Sequence, residues 1–306
     1  MSQNFLGFLF ALTLSGIILF QSHLFPVSQN RQDIPVSPAK FPTPFNLEAS
    51  LPTAVKLPGL PYLVIEDSAQ FFPIRNWNTP SIELEARAGI AADFSSGRLF
   101  YQKNIDETLP IASLTKLMSA LVVLENYNLD DLVKISKEAI MTEGDKGGLI
   151  MDEELSVEAL LKIMLIESSN DAAVALAEKI GVQRFIESMN QRASDLNMSQ
   201  TKFKDPAGLN GGNVSSVSDL LKLARHLFFV WPEIAEITKT QTATVSSVDG
   251  KINHQPKNTN KLLGKIPEIL GGKTGYSDEA NGCLLVLMQI NEKNKIITVA
   301  LGSPDR

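Results

Sequence analysis

The sequence predicts an α+β fold: an antiparallel sheet flanked by helices, with an inserted all-helical subdomain. Three observations carry this reading. Runs with the length and composition of strands occur at both ends of segment 81–306. The stretch between them is rich in helical runs. Turn residues stand where the terminal runs must reverse. A sheet assembled from both ends of the segment, with the helices inserted between, satisfies all three.

Ahead of that segment the chain reads differently. Phe5 to Phe20 carries no charge and has only Thr13 and Ser15 as polar members. Its length lies between a signal-peptide core of about 7–15 residues and a spanning helix of roughly 17–25. No Ala-x-Ala site follows, so residues 1–24 are expected to be a signal peptide or, in preference, an uncleaved membrane anchor. Charge gives no orientation, because the first basic residue is Arg31. Residues 25–80 form a Pro-rich linker, with prolines recurring from Pro26 to Pro73. Helices and central strands tolerate few of these, which points to a semi-extended tether. Tyr62, Phe71, Phe72 and Trp77 are expected to pack onto the domain surface.

In the domain itself, Gly89–Phe94 and Arg98–Gln102 flank Ser95-Ser96-Gly97 and predict a β-hairpin. Ile111 to Glu125 follows Pro110, lacks Gly and Pro, and is apolar on nearly every side, as a helix in the middle of a domain must be. Further helices are expected over Val157–Ile166, Asp171–Ile180 and Ser218–Phe229. Strand signals return at Gly271–Tyr276, Gly282–Ile290 and Lys295–Gly302, the last two joined by Asn291-Glu292-Lys293-Asn294.

Composition excludes several functions. The net charge of −6 is spread along the chain, with no clustered basic face for nucleic acid. The one cysteine, Cys283, cannot form an internal disulfide, and its apolar neighbours Leu284–Met288 make it a core residue. His23, His226 and His254 stand apart, with no zinc-ligand spacing, so no metal or other cofactor is expected.

Three short motifs carry chemistry. Ser113-Leu114-Thr115-Lys116 opens the buried helix, and a spacing of three places hydroxyl and amine on one face. A serine hydroxyl needs an adjacent base, and a lysine can serve if burial or a neighbouring cation lowers its pKa. Alone the pattern is weak: Ser37-x-x-Lys40 and Ser199-x-x-Lys202 match it too, but neither opens an apolar helix. Ser168-Ser169-Asn170 lies between two helical segments. Its first hydroxyl can pass a proton, its amide can bind a peptide carbonyl, and Ser169 or Asn170 can cap the helix that follows. Lys273-Thr274-Gly275 falls on a strand expected at a sheet edge. There a cation and a hydroxyl suit a carboxylate, and a glycine admits close approach of a substrate backbone.

In this order and context the motifs resemble those of penicillin-binding proteins and class A β-lactamases. From about Ala86 onward the chain is similar to the low-molecular-mass D-alanyl-D-alanine carboxypeptidases. The likeness lies in Ile111–Met118, Ser168–Ala173, Asp205-Pro206-Ala207-Gly208-Leu209 and Gly272–Tyr276 with Ala280. There are departures: Ser169 stands where many members have Gly, and Ala280-Asn281-Gly282 where Ala-Gly is common. The C-terminal helix usual in the family is expected to be missing from 81–306.

The resemblance implies a β-lactamase/transpeptidase-like fold and a peptidoglycan stem peptide ending in D-Ala-D-Ala as substrate, with β-lactams as inhibitors. It implies Ser113 as nucleophile, Lys116 as general base, Ser168 as proton relay and Asn170 on the acyl side. Lys273 and Thr274 would hold the terminal carboxylate beside Gly275 and Tyr276, and the N–H groups of Ser113 and Tyr276 would form an oxyanion hole. It places the domain outside the cytoplasmic membrane. A DD-endopeptidase would share every such residue. A class A β-lactamase needs a loop glutamate for deacylation, and none of Glu178, Glu187, Asp195 or Asp205 begins a Glu-x-x-x-Asn arrangement. A non-catalytic, membrane-tethered wall-binding protein is the remaining alternative, against which the intact motifs speak.

Overall fold

The domain begins as the expected hairpin, β1 (Ala88–Asp93) and β2 (Leu99–Lys103). Its turn is closed by Asp93 Oδ1, which accepts from the N–H and hydroxyl of Ser96, both at 2.7 Å. Short strands follow as three ribbons: β3 (Leu109–Pro110) with β6 (Val214–Ser215), β4 (Leu132–Lys134) with β5 (Glu154–Ser156), and β7 (Val245–Ser246) with β8 (Asn253–His254). The sheet is completed by β9 (Ile269–Ser277), β10 (Asn281–Gln289) and β11 (Lys295–Ser303), in the antiparallel order β2-β1-β11-β10-β9. Pairing from Ala88↔Leu301 to Asp93↔Ile296 joins the two ends of the domain. β9, which carries the third motif, is an edge strand as expected.

This is a computed structural model, and it describes residues 76, 78, 80–144, 147–209 and 211–304. Segment 1–24 and nearly all of the linker 25–80 lie outside the described residues, as do Tyr62, Phe71, Phe72 and Trp77 with their expected packing. Among the described residues no helix is long and apolar enough to cross a membrane.

Between β2 and β9 come α1 (Thr115–Asn126), α2 (Lys137–Ile140), α3 (Val157–Ile166), α4 (Asn170–Glu178), α5 (Val182–Asp195), α6 (Val217–Val230) and α7 (Glu233–Lys239). Serine hydroxyls cap four of them: Ser136, Ser156, Ser169 and Ser216 each accept from a backbone N–H in the first turn. Helix α1 is the core helix, with every residue from Thr115 to Leu124 buried. The insertion is not all-helical: the three ribbons lie within it, two of them in stretches too short to show a strand period. The helix expected from Ile111 is also interrupted. Ala112–Leu114 is a 3-10 turn, and Ala112 has φ 44, so Ser113 sits on a bend that feeds α1 rather than on α1 itself.

Candidate active site

Lys116 is fully buried in the first turn of α1. Its Nζ lies 2.9 Å from Ser113 Oγ, 2.7 Å from Asn170 Oδ1 and 2.8 Å from the Ala207 carbonyl. The amine donates to the Asn170 amide oxygen and the Ala207 carbonyl, and the Ser113 oxygen lies within hydrogen-bond reach of it. Three elements thus hold the amine against one oxygen.

Each of these elements is itself fixed. The Asp205–Leu209 turn is organised by Asp205 Oδ1, which accepts from the N–H groups of Ala207, Gly208 and Leu209 at 2.8, 2.6 and 3.2 Å. Ser119, on α1, donates to the Pro206 carbonyl at 2.6 Å, and Asn213 links Asp205 O to Thr115 Oγ1. Gly208 has φ 87, and a Cβ there would fall 2.0 Å from the Ala112 carbonyl oxygen. A side chain at 208 is therefore incompatible with the bend that carries Ser113. Asn170 begins α4, and its Nδ2 donates to the Glu143 carbonyl at 2.9 Å. Its two amide ends thus join Lys116 to the Glu143 carbonyl.

Ser168 has φ 70, a conformation serine disfavours, and its buried Oγ has no hydrogen-bond partner among the described residues. Ser168 thus combines a strained backbone with a hydroxyl left open towards the cavity it lines. Next to it Ser169 Oγ donates to Asp171 and accepts from the Ala172 N–H at 3.0 Å.

Ser113, Ser168, Thr274, Gly275 and Tyr276 line one cavity of about 670 Å³. Lys116, Asn170 and Lys273 do not line it and are buried. Lys273, 2% exposed, donates to the Thr274 carbonyl at 3.0 Å, so the face offered by β9 is the Thr274 hydroxyl rather than the lysine. Gly275 has a reason the sequence did not suggest. A Cβ there would stand 3.0 Å from Ser113 N and 3.1 Å from the Ile111 carbonyl, so glycine lets β9 lie against the bend at Ser113. Asn281, the departure noted above, has φ 54, a conformation asparagine tolerates. The sequence also missed the cavity wall Asn258–Leu262. Thr259 Oγ1 lies 2.6 Å from Thr274 Oγ1, and Asn260 Nδ2 is buried without a partner among the described residues. Its Asn-Thr-Asn run could have flagged a hydrogen-bonded turn.

Residues 75–305 match the family model for D-alanyl-D-alanine carboxypeptidase. The chain is 34% identical to the Bacillus subtilis D-alanyl-D-alanine carboxypeptidase DacF, across 67% of its own length and 54% of the relative's. Against a Haemophilus influenzae D-alanyl-D-alanine endopeptidase it is 36% identical, covering 72% of this chain and 76% of that one. The crystal structure of a Mycobacterium tuberculosis D-alanyl-D-alanine carboxypeptidase superposes with TM-score 0.69 at 27% identity, over 73% of this chain and 84% of the other. The chain therefore spans about half the length of the first of these relatives and most of the other two.

Proposed function

The chain belongs to the D-alanyl-D-alanine carboxypeptidase family, and from that premise we propose that it removes the terminal D-alanine from peptidoglycan stem peptides through an acyl-enzyme on Ser113. The observation that carries this reading is the buried amine of Lys116, 2.9 Å from Ser113 Oγ and hydrogen-bonded as well to Asn170 and Ala207.

In the reading proposed, Lys116 takes the hydroxyl proton as Ser113 Oγ attacks the carbonyl of the penultimate residue. The negative charge that develops on that oxygen is met by the backbone N–H groups of Ser113 and Tyr276. The Ser168 hydroxyl, without a partner among the described residues, returns a proton to the departing D-alanine amine. Thr274, supported by Thr259, meets the terminal carboxylate, and the buried Lys273 ammonium supplies the positive field behind it. Water then releases the acyl group. β-Lactams, which present an equivalent carbonyl and carboxylate, would acylate the same oxygen. Segment 1–24 would carry or tether the domain outside the cytoplasmic membrane, where wall peptide lies.

The test is covalent labelling by fluorescent penicillin, read by intact mass. The wild type should gain one adduct, Ser113→Ala none, and Ser199→Ala one. An adduct on Ser113→Ala would reject the nucleophile. A second reading, DD-endopeptidase, is favoured by the endopeptidase relative at 36% identity. Product analysis on a free pentapeptide and on a cross-linked dimer separates the two: released D-alanine marks the first, and cleaved cross-links mark the second.

A further inference from the structure

Asp171, the second residue of α4, is 1% exposed and takes no part in the steps proposed above. A carboxylate so buried must be met by donors. Its oxygens accept from the N–H groups of Gly147 at 2.9 and 3.1 Å, of Leu149 at 3.4 Å and of Ala172 at 2.9 Å, and from the Ser169 hydroxyl. Ser169 Oγ in turn accepts from the Ala172 N–H and so caps α4. The carboxylate therefore makes two attachments. It holds the hydroxyl that caps the first turn of α4, and it holds the backbone of Gly147 and Leu149 against that turn.

Asn170 stands between these attachments. Its Oδ1 is 2.7 Å from Lys116 Nζ, and its Nδ2 donates to the Glu143 carbonyl at 2.9 Å. A Cβ at Gly144 would stand 2.7 Å from Asn170 Nδ2, and one at Gly147 would stand 2.9 Å from Ser169 Oγ. Glycine at both places lets the backbone lie directly on the second motif. Asp145 and Lys146, between them, lie outside the described residues. We infer that Asp171 is a positioning residue: through Ser169 and the Gly147 and Leu149 backbone it fixes the Asn170 amide with its oxygen on the Lys116 amine. An amide turned over would present a donor where Lys116 needs an acceptor. The inference rests on the acylation reading above, in which Lys116 is the base.

The experiment measures penicillin acylation against concentration in the wild type, Asp171→Asn, Asn170→Ala and the double variant. Ser216→Ala, which loses the cap of α6, controls for helix capping alone. Asp171→Asn should lower the limiting acylation rate on the order of tenfold, with the half-saturating concentration changed by less than about twofold. In the Asn170→Ala background the same change should cost less than about twofold more, because both act on one amide. A loss that persists at about tenfold in that background, or a rate no lower than that of Ser216→Ala, overturns the inference. Where Asp171→Asn does not fold, Ser169→Ala takes its place with the same outcomes required. A second readout needs no activity. The Asn170 side-chain N–H signals are identified by their loss in Asn170→Ala. They should exchange with water on the order of tenfold faster in Asp171→Asn and Ser169→Ala than in the wild type. Unchanged exchange overturns the inference. If the wild type is not labelled by penicillin, the acylation reading fails, and amide exchange alone then decides the role of Asp171.

Discussion

The two walls of the cavity are built on opposite plans. On the helical wall the polar groups that define Lys116 are tied on several sides: the lysine to three acceptors, Asp205 to three N–H groups, and Asn170 between Lys116 and Glu143. The strand wall is an edge. Tyr276 is 41% exposed, Thr259 and Thr274 share one contact, and Asn260 Nδ2 has no partner among the described residues. Rigid surroundings fix a base against a nucleophile to within the small tolerance that proton transfer demands. An edge strand keeps backbone and hydroxyl groups open to an arriving peptide. On the proposed reading, the chemistry belongs to the tied wall and recognition to the edge that a substrate would complete.

The largest test of this division sets one lysine against the other. Lys116→Arg should slow acylation by about 10²–10⁴ for every substrate, because arginine does not give up its proton. Lys273→Arg keeps the cation and should act mainly on substrates bearing a terminal carboxylate. Rates measured with a carboxylate substrate and its amide decide it: an amide slowed as much by Lys273→Arg as by Lys116→Arg would erase the distinction. Next in size is Asp205→Asn, which leaves the shape of the turn but weakens three charge-assisted hydrogen bonds. It should lower kcat on the order of tenfold with KM little changed, since it loosens the carbonyl that steers Lys116. A change confined to KM would move Asp205 to the recognition side. Thr259→Val should raise KM a few-fold by removing the partner of Thr274, a loss of ~1 kcal/mol, while kcat holds. The smallest effect is expected away from both walls. Ser216→Ala removes the α6 cap and should cost about 1 kcal/mol in denaturant unfolding, with acylation unaltered.

The parts of the molecule legible in the sequence were those that obey a local period. β1, β2 and the three C-terminal strands are within about two residues of their predicted limits. Helix α1 was visible because a Gly- and Pro-free apolar run has few alternatives. The bend at Ala112 was not, because its cause is remote: the glycine at 208 and the strand at 275 make room for it. Likewise, alternation along β9 suggested Lys273 facing the groove, but packing buries the lysine and turns Thr274 to the cavity. The Asn258–Leu262 wall has neither period nor apolar stripe, and it gains meaning only when the fold brings it beside Thr274. What sequence conveys poorly is the second partner of a contact made across the chain.

Cys283 offers a use for one of these remote contacts. It is 4% exposed, lies opposite Gly275 in the β9–β10 ladder, and burial pushes its thiol up to about 11. It also borders the cavity, so a thiol reagent reaches it slowly, from that side or when the ladder parts. Because Cys283 is the chain's one cysteine, its trapping rate becomes a clock for access to the floor of the cavity. A ligand that fills the space between β9 and the bend at Ser113 should slow that clock, reporting occupancy through the protection of a single thiol.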